Sequence, residues 1–189
     1  MNLDVLSAEC ERGLNDFFGD SRRIFHGRGM TYQGLESICV DLFAPVMLVS
    51  AFDDSVPELT LKAWAAGMMS RAAVKGIQCI ALLRRYTKPA SIGVLEGKMP
   101  EYVYASENGA KFELNMSGNQ NVGFFLDAEP ARNWVRKQAM NRKVLNLFAY
   151  TGSFSVAAIQ GGASKVVNVD MSRSAIRTAQ GNHQRNFVN

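Results

Sequence analysis

The sequence predicts an α/β protein, in which a small α+β domain precedes the first half of a doubly wound parallel sheet. Residues 144–172 run from apolar strand through a tight turn and a small-residue helix to a second apolar strand, the pattern of a β-α-β unit. Upstream, the Asn-Gly pair at 108–109 lies between two alternating segments and predicts a β-hairpin. A helix-spaced apolar stripe within residues 57–75 adds a helix to that upstream region.

The N-terminal segment is predicted to be a helix followed by a basic loop. Residues 1–20 have apolar residues at helical spacing, whereas residues 21–34 are polar, basic and punctuated by glycine. We expect 21–34 to be an ordinary exposed loop. The alternative is an RNA-binding patch that contains Arg22, Arg23, His26 and Arg28.

The middle segment, residues 35–127, predicts the small α+β domain with its hairpin. Pro57 suits the first turn of the expected helix, and Gly76 suits its end. That helix has a five-residue apolar stripe of Leu61, Trp64, Ala65, Met68 and Ala72. We expect strands over 35–42, 46–52, 77–83, 102–106, 111–116 and 124–126, and a loop over 87–100.

The last segment, residues 128–189, predicts the incomplete beginning of the doubly wound domain. A helix over 128–140, with Trp134, Val135 and Met140 buried, leads into the β-α-β unit. The expected parts of that unit are strand 144–147, turn 150–152, helix 153–160 and strand 165–169. The domain boundaries are therefore predicted after residues 34 and 127.

Composition excludes several classes of protein. The 189-residue chain is 47% hydrophobic and 20% charged, which is typical of globular proteins, and no apolar run approaches the roughly 18–20 residues of a membrane helix. The N-terminal residues lack the basic start of a signal peptide. Its three cysteines have no metal-ligand spacing, so we expect no metal site and a cytoplasmic location.

Charge is distributed unevenly along the chain. Residues 1–127 contain 12 Lys and Arg against 15 Asp and Glu, whereas residues 128–189 contain 9 against 2. Positive charge beside a cofactor site favours a polyanionic partner such as nucleic acid. Arg132, Arg136 and Lys137 are the candidate nucleic-acid contacts, and a solvated helix face is the alternative for these three residues.

The turn after strand 144–147 indicates which cofactor the β-α-β unit would bind. It has one glycine, Gly152, where a nicotinamide site expects three, and the P-loop pattern is absent. A ligand with a phosphate chain is therefore disfavoured. Asp170 ends the second strand, where an acid can accept hydrogen bonds from ribose hydroxyls. A nucleoside with a zwitterionic tail, S-adenosylmethionine, fits this pattern.

Four sequence motifs give the chain a family resemblance. The runs G-F-F-L-D (123–127), L-N-L-F-A-Y-T-G-S-F (145–154), G-G-A-S (161–164) and V-D-M-S (169–172) resemble class I S-adenosylmethionine-dependent methyltransferases, which have a Rossmann-like sheet. The similar group includes bacterial large-subunit ribosomal RNA cytosine-C5 and guanine-N7 methyltransferases. Asn182 and Asn186 match the N-x-x-x-N of that group.

The resemblance implies roles for individual residues. One set would line the methionine and sulfonium side of the cofactor: Asn146, Phe148, Tyr150, Thr151 and Gly152. Asp170 would bind the ribose, and Met171 would pack on the adenine. Phe125 and Asp127, with Arg132, resemble the segment that covers the cofactor. Glu129 and Phe187 depart from the group, which has arginine and glycine there.

The resemblance also implies that base-facing motifs of the group lie beyond Asn189, so the catalytic residues are unknown. We therefore expect an N-terminal fragment of an enzyme that methylates a base in RNA such as ribosomal RNA, inactive alone and stable through self-association or repacking. One alternative is a small-molecule or protein methyltransferase. Another is a non-catalytic binding or assembly module, if 189 residues form the whole protein.

Overall fold

The computed structural model describes residues 3–187, which form five α-helices and nine β-strands. The helices are α1 (Asp4–Asn15), α2 (Glu58–Val74), α3 (Glu129–Gln138), α4 (Ser153–Gln160) and α5 (Arg173–Phe187). The strands are β1 (Arg22–His26), β2 (Ile38–Phe43), β3 (Val46–Ala51), β4 (Cys79–Arg84), β5 (Ser91–Gly97), β6 (Tyr104–Glu107), β7 (Ala110–Glu113), β8 (Lys143–Leu147) and β9 (Lys165–Val169).

The chain divides into two units. Unit 1 contains the residues up to Ser106 together with Asn115–Val122, and unit 2 contains Glu107–Leu114 together with the residues from Gly123 onward. The sequence analysis placed a boundary after residue 127, whereas the structure groups 123–127 and the return strand of the hairpin with unit 2. Hydrogen bonds between β7 and α5, and between Gly123 and the turn before α4, explain this grouping.

Unit 1 is built on a mixed five-stranded sheet in the order β1-β2-β3-β4-β5. β3 and β4 are parallel and joined by α2, and the other neighbouring pairs are antiparallel. All residues of β2 and β3 are buried. Strands covered on both faces are apolar without interruption, which is why the sequence predicted them well.

The helices of unit 1 follow their apolar periodicity. All five residues of the predicted α2 stripe are buried, from Ala65 and Ala72 at 0% exposed to Trp64 at 8%, so that prediction is confirmed. α1 packs closely against β1: a Cβ at Gly13 would come within 2.5 Å of the Ile24 side chain. Leu6, Cys10 and Leu14 fill the same core cluster.

Three predicted elements differ in the structure. The basic segment 21–34 contains strand β1, whose two leading arginines hide its strand character. The predicted loop 87–100 contains β5, which has glycine where Arg84 packs against it: a Cβ at Gly93 would lie 2.9 Å from the Arg84 guanidinium. Residues 124–126 form no strand, and part of this segment enters a 3-10 turn at Leu126–Ala128.

Unit 2 contains the predicted β-α-β unit. β8 and β9 are parallel, paired from Lys143 with Lys165 to Leu147 with Val169, and α4 connects them. This confirms the α/β class and the start of a parallel sheet. The two strands expose an apolar set of Leu145, Leu147, Val167 and Val169, which are 42–61% exposed.

Helix α3 has a different buried face from the predicted one. Trp134 and Met140 are 64% and 65% exposed, whereas Arg132 is 1% and Ala139 is 2% exposed. The inward positions therefore fall at 132 and 139, two turns apart on one face. A charged residue at the centre of the buried face conceals its periodicity in the sequence. Within the described residues, no helix is long and apolar enough to cross a membrane.

Candidate functional site

The turn between β8 and α4, residues 148–152, has a strained backbone and is called the corner here. Phe148 and Tyr150 have φ angles of 57° and 48°, and Gly152 has 78°. A positive φ costs an aromatic residue about 1–3 kcal/mol and persists only where the surrounding structure enforces it. Two such residues in one turn identify the corner as a candidate functional site.

The side chain of Asp170 holds the corner from the end of β9. Its Oδ2 accepts a hydrogen bond from the Tyr150 backbone N–H at 2.8 Å, and its Oδ1 accepts one from the Ser172 N–H at 2.8 Å. The structure therefore brings the predicted acid and the predicted turn together. Each carboxylate oxygen keeps a further lone pair, so the group can also accept hydrogen bonds from a diol.

These two amide hydrogen bonds keep Asp170 ionised. The N–H groups of Ser172 and Tyr150 lower the pKa of the Asp170 carboxyl below its ordinary value of 3.8. Because the folded-state pKa is depressed, the stabilisation that the ionised group gives is present at neutral pH. We expect it to be lost only as the pH falls through that lowered pKa.

A carboxyl-carbon NMR titration checks this expectation. The Asp170 resonance should titrate below pH 3.8, with the Tyr150 amide resonance following the same curve. A midpoint at or above the ordinary aspartate value would contradict the contact.

Aromatic residues form a wall beside the corner. The Phe125 ring lies 5.5 Å from the Tyr150 ring, centroid to centroid, at an angle of 44°. The Phe125 carbonyl accepts a hydrogen bond from Arg132 Nη1 at 2.8 Å, which fixes the backbone that carries this ring. Burial raises the pKa of the Tyr150 hydroxyl above its ordinary value of 10.0, so the side chain is neutral at physiological pH.

Arg132 has a structural position that corrects one prediction. Its guanidinium forms a two-pronged ion pair with Glu107, with nitrogen–oxygen distances of 2.7 Å and 2.6 Å, and lies 4.3 Å above the Phe124 ring. The side chain is 1% exposed, so it cannot reach a nucleic acid. Arg132 instead fixes the backbone at Phe125 through the hydrogen bond to its carbonyl.

Hydrogen bonds also tie the corner to Gly123 and to α5. Thr151, predicted to line the cofactor, is 5% exposed, and its hydroxyl donates to the Gly123 carbonyl at 2.6 Å. The Asn182 side chain donates to the Thr151 carbonyl at 3.0 Å. Thr151 therefore supports the corner, and its side chain is not available to a ligand.

The side-chain amides of Asn182 and Asn186 connect α5 to β7 by hydrogen bonds to the strand's backbone groups. The Asn182 Oδ1 accepts the Glu113 N–H at 2.9 Å, and the Asn186 side chain accepts the Lys111 N–H and donates to the Lys111 carbonyl, both at 2.8 Å. Asn182 is fully buried. The sequence analysis noted this asparagine pair only as part of the resemblance and gave it no role.

Asn146 lies on the α4 side of the sheet. Its Nδ2 donates to Ser155 Oγ at 2.9 Å and to Asn168 Oδ1 at 3.2 Å, and the Ser155 hydroxyl also donates to Asn168. This network joins β8, α4 and β9 beneath the corner. Sequence reasoning missed Ser155 and Asn168, although two polar residues in an otherwise apolar β-α-β unit are a usable signal.

Gly152 is required by both its backbone and its surroundings. In addition to its positive φ, a Cβ there would lie 2.9 Å from the Ala179 Cβ on α5. We expect Gly152→Ala to destabilise unit 2 by about 1–3 kcal/mol, through backbone strain and overpacking. Gly181→Ala is the matched control, because open space surrounds Gly181 in α5.

Chemical unfolding measures both variants. The control should be neutral or slightly stabilising, since alanine is favoured over glycine within a helix. Equal midpoints for the two variants would show that the close approach of α4 and α5 does not exist in solution.

The remaining predicted residues are accessible. Phe148 is 87% and Met171 is 98% exposed, so both side chains are free to cover a ligand beside Asp170. Asp127 is exposed in the 3-10 turn that precedes α3. Arg136 is half-buried and Lys137 is exposed, and neither forms an ion pair with any residue from 3 to 187.

The donor set at the corner fits a nucleoside. It offers one ionised carboxylate, exposed apolar side chains and the backbone of a glycine-containing turn. Among residues 3–187, no cluster of three or more His, Cys, Asp or Glu side chains could hold a metal.

Comparison with known proteins gives a consistent family. A family model described as S-adenosylmethionine-dependent methyltransferase matches residues 22–189. The ribosomal RNA large subunit methyltransferase I of Vibrio vulnificus is 41% identical over 95 residues, which are 50% of this chain and 24% of that protein. The chain thus matches only about a quarter of the length of this curated relative.

Solved structures share the fold over nearly the whole chain. A Streptococcus mutans protein assigned to the S-adenosylmethionine-dependent methyltransferases superposes with a TM-score of 0.79 at 22% identity, covering 99% of this chain and 49% of that one. The protein SMU.776, assigned as a methyltransferase and solved in complex with SAH, gives 0.78 at 23% identity, covering 99% and 48%. At these identities the likeness concerns the fold.

Proposed function

Because the chain belongs to the S-adenosylmethionine-dependent methyltransferase family, we propose that it binds S-adenosylmethionine at the corner and serves methyl transfer to a base in RNA. The observation that carries this proposal is the contact between the Asp170 carboxylate and the Tyr150 N–H, which sets an ionised acid against a strained turn. The Vibrio relative, named for a ribosomal RNA substrate, supports RNA as the substrate class.

In this proposal the residues of the site divide into contacts and supports. Asp170 accepts hydrogen bonds from the ribose hydroxyls, and Met171 packs on the adenine. Phe125, Phe148 and Tyr150 cover the methionine side, with Asp127 at the edge of that cover. Thr151 ties the corner to Gly123, and Gly152 adopts the positive φ that the corner needs. Asn146 joins β8 to α4 and β9 through Ser155 and Asn168.

S-adenosylmethionine supplies a methyl group on a positively charged sulphur. The residues of this chain would orient that group and keep water away from it, and positioning of this kind is a major part of the rate enhancement of group transfer. We assign no residue here to activation of the base. A cytoplasmic location and homo-oligomer formation belong to the same proposal.

Photocrosslinking tests the cofactor site directly. Radiolabelled S-adenosylmethionine should crosslink to a peptide within residues 143–172, and unlabelled S-adenosylhomocysteine should compete. No adduct, or an adduct confined to unit 1, would contradict the site.

A charge-reversal experiment tests the RNA partner at α3. Arg136→Glu with Lys137→Glu should weaken RNA binding and lower its salt dependence. Each lost phosphate contact reduces the number of counterions that are released when RNA binds. An unchanged salt dependence would contradict RNA binding at this helix.

A further inference from the structure

A second cluster of basic side chains lies in unit 1, at the end of the sheet where β1, β3 and β4 finish. Arg28 is in the 3-10 turn after β1, Phe52 follows β3, and Arg85 follows β4. The guanidinium carbon of Arg28 lies 4.1 Å from the centre of the Phe52 ring, and that of Arg85 lies 4.7 Å from it. One ring therefore holds two arginines from distant parts of the chain.

The charges of these two arginines are not neutralised by the residues that the structure describes. Neither Arg28 nor Arg85 forms an ion pair within residues 3–187. Arg85 is half-buried and donates from Nη2 to the Asn121 side chain at 2.9 Å, and its backbone carbonyl accepts from Gln120 at 3.1 Å. These contacts fix Arg85 without cancelling its charge.

The other charged groups near the two arginines, Arg23, Asp41 and Asp53, do not neutralise the cluster. Arg23 is bound to Asp41 through two hydrogen bonds of 2.7 Å and 3.1 Å. Burial is the main cause that lowers the pKa of Arg85; the charges of Arg28 and Arg23 lower that pKa further, whereas Cys39 and Asp41 act to raise it. Asp53, next to Phe52, accepts hydrogen bonds from the N–H and the hydroxyl of Ser55, at 2.9 Å and 2.5 Å.

Holding like charges close together costs free energy unless an anion is bound between them. The guanidinium group forms two parallel hydrogen bonds with a phosphate, and an arginine already held over a ring loses less conformational freedom when it does so. The cluster is therefore arranged to bind phosphate, and two adjacent arginines suit successive phosphates of a strand.

We propose that Arg28 and Arg85, held by Phe52, form a phosphate-binding site for the RNA strand, made of residues other than those of the corner and of α3. This inference rests on the proposed function for the identity of the polyanion. It makes unit 1 a contributor to RNA binding, although this part of the chain has no excess of positive charge.

The test measures RNA affinity of the 189-residue chain by fluorescence anisotropy, with a labelled single-stranded oligouridylate of about 12 nucleotides. Arg28→Gln with Arg85→Gln should reduce affinity at least about tenfold at low salt. The slope of log affinity against log salt should fall by about 1.4, which is the value for two lost contacts to a single strand.

The matched control removes two positive charges from the opposite end of the same sheet. Lys75 follows α2, and Lys98 follows β5, whose last residue pairs with the first residue of β4. Lys75→Gln with Lys98→Gln should leave the slope within experimental error. Arg28→Gln alone, at an exposed position, keeps the test valid if substitution of half-buried Arg85 disturbs folding.

Each outcome decides the inference. Equal affinities of the double variant and its control would overturn it, as would wild-type protein that does not bind the oligonucleotide. Equal binding of a polyglutamate peptide would also overturn it in favour of an acidic protein partner. S-adenosylmethionine binding, measured in parallel, should be unchanged by Arg28→Gln and Arg85→Gln, so a failure here is distinguishable from a failure of the cofactor site.

Discussion

Replacement of Asp170 by asparagine is expected to weaken S-adenosylmethionine binding by about 10- to 100-fold. An ionised acceptor contributes about 1.5–3 kcal/mol to a hydrogen bond, which corresponds to that range of affinity. The amide also lowers the acceptor strength at the Tyr150 and Ser172 N–H groups, so the corner becomes less rigid. Isothermal titration calorimetry with S-adenosylmethionine measures the change.

Glu129→Gln provides the matched control for this prediction. Glu129 is exposed at the start of α3 and its carboxylate accepts a hydrogen bond from Asn133 at 3.2 Å, so the variant also removes one negative charge from unit 2. It should bind the cofactor as the wild type does. If Asp170→Asn and Glu129→Gln have the same affinity, the ribose contact at position 170 does not exist.

The sequence predicted those elements whose hydrophobic or turn pattern lies within one short segment. The α2 stripe, the buried strands β2 and β3, and the β8-α4-β9 unit all follow from hydrophobic periodicity. The Asn-Gly hairpin also formed, with φ angles of 52° and 79° at Asn108 and Gly109. At each of these places the local preference and the tertiary environment agree.

The sequence could not predict features that depend on distant partners. β1 begins with two arginines, and it is recognisable as a strand only through its pairing with β2. Arg132 looks like a surface residue until Glu107, 25 positions earlier, is brought against it. The acid that ends β9 at position 170 was predictable, because it follows from a local pattern, whereas the hydrogen bonds of residues 155, 168 and 182 depend on the fold.

For the same reason, the sequence does not predict that Arg28 and Arg85 of unit 1 lie close together. The sequence suggested an RNA-binding patch within 21–34 as an alternative, and Arg28 belonged to it. Arg85 lies 57 residues further along the chain and joins Arg28 only because β1 and β4 end at the same side of the sheet.

Among the substitutions proposed here, replacement of Arg132 is expected to destabilise the protein most. Arg132→Met leaves the Glu107 carboxylate buried without a partner, which costs about 3–5 kcal/mol. Hydrogen exchange should increase over β7, α3 and the corner. Urea unfolding in a Trp64→Phe background would follow unit 2 through Trp134. Lys137→Met, at an exposed position on the same helix, should change stability by less than about 0.5 kcal/mol.

A second substitution separates stability from cofactor binding. Arg132→Met with Glu107→Leu removes both charges, and such apolar replacements of a buried ion pair are often neutral or stabilising, so most of the lost stability should return. The hydrogen bond from Arg132 to the Phe125 carbonyl does not return, so the Phe125 ring remains less well held against Tyr150. We therefore expect the double variant to fold normally and still bind S-adenosylmethionine more weakly than the wild type. Recovery of both properties together would show that Arg132 serves only the fold.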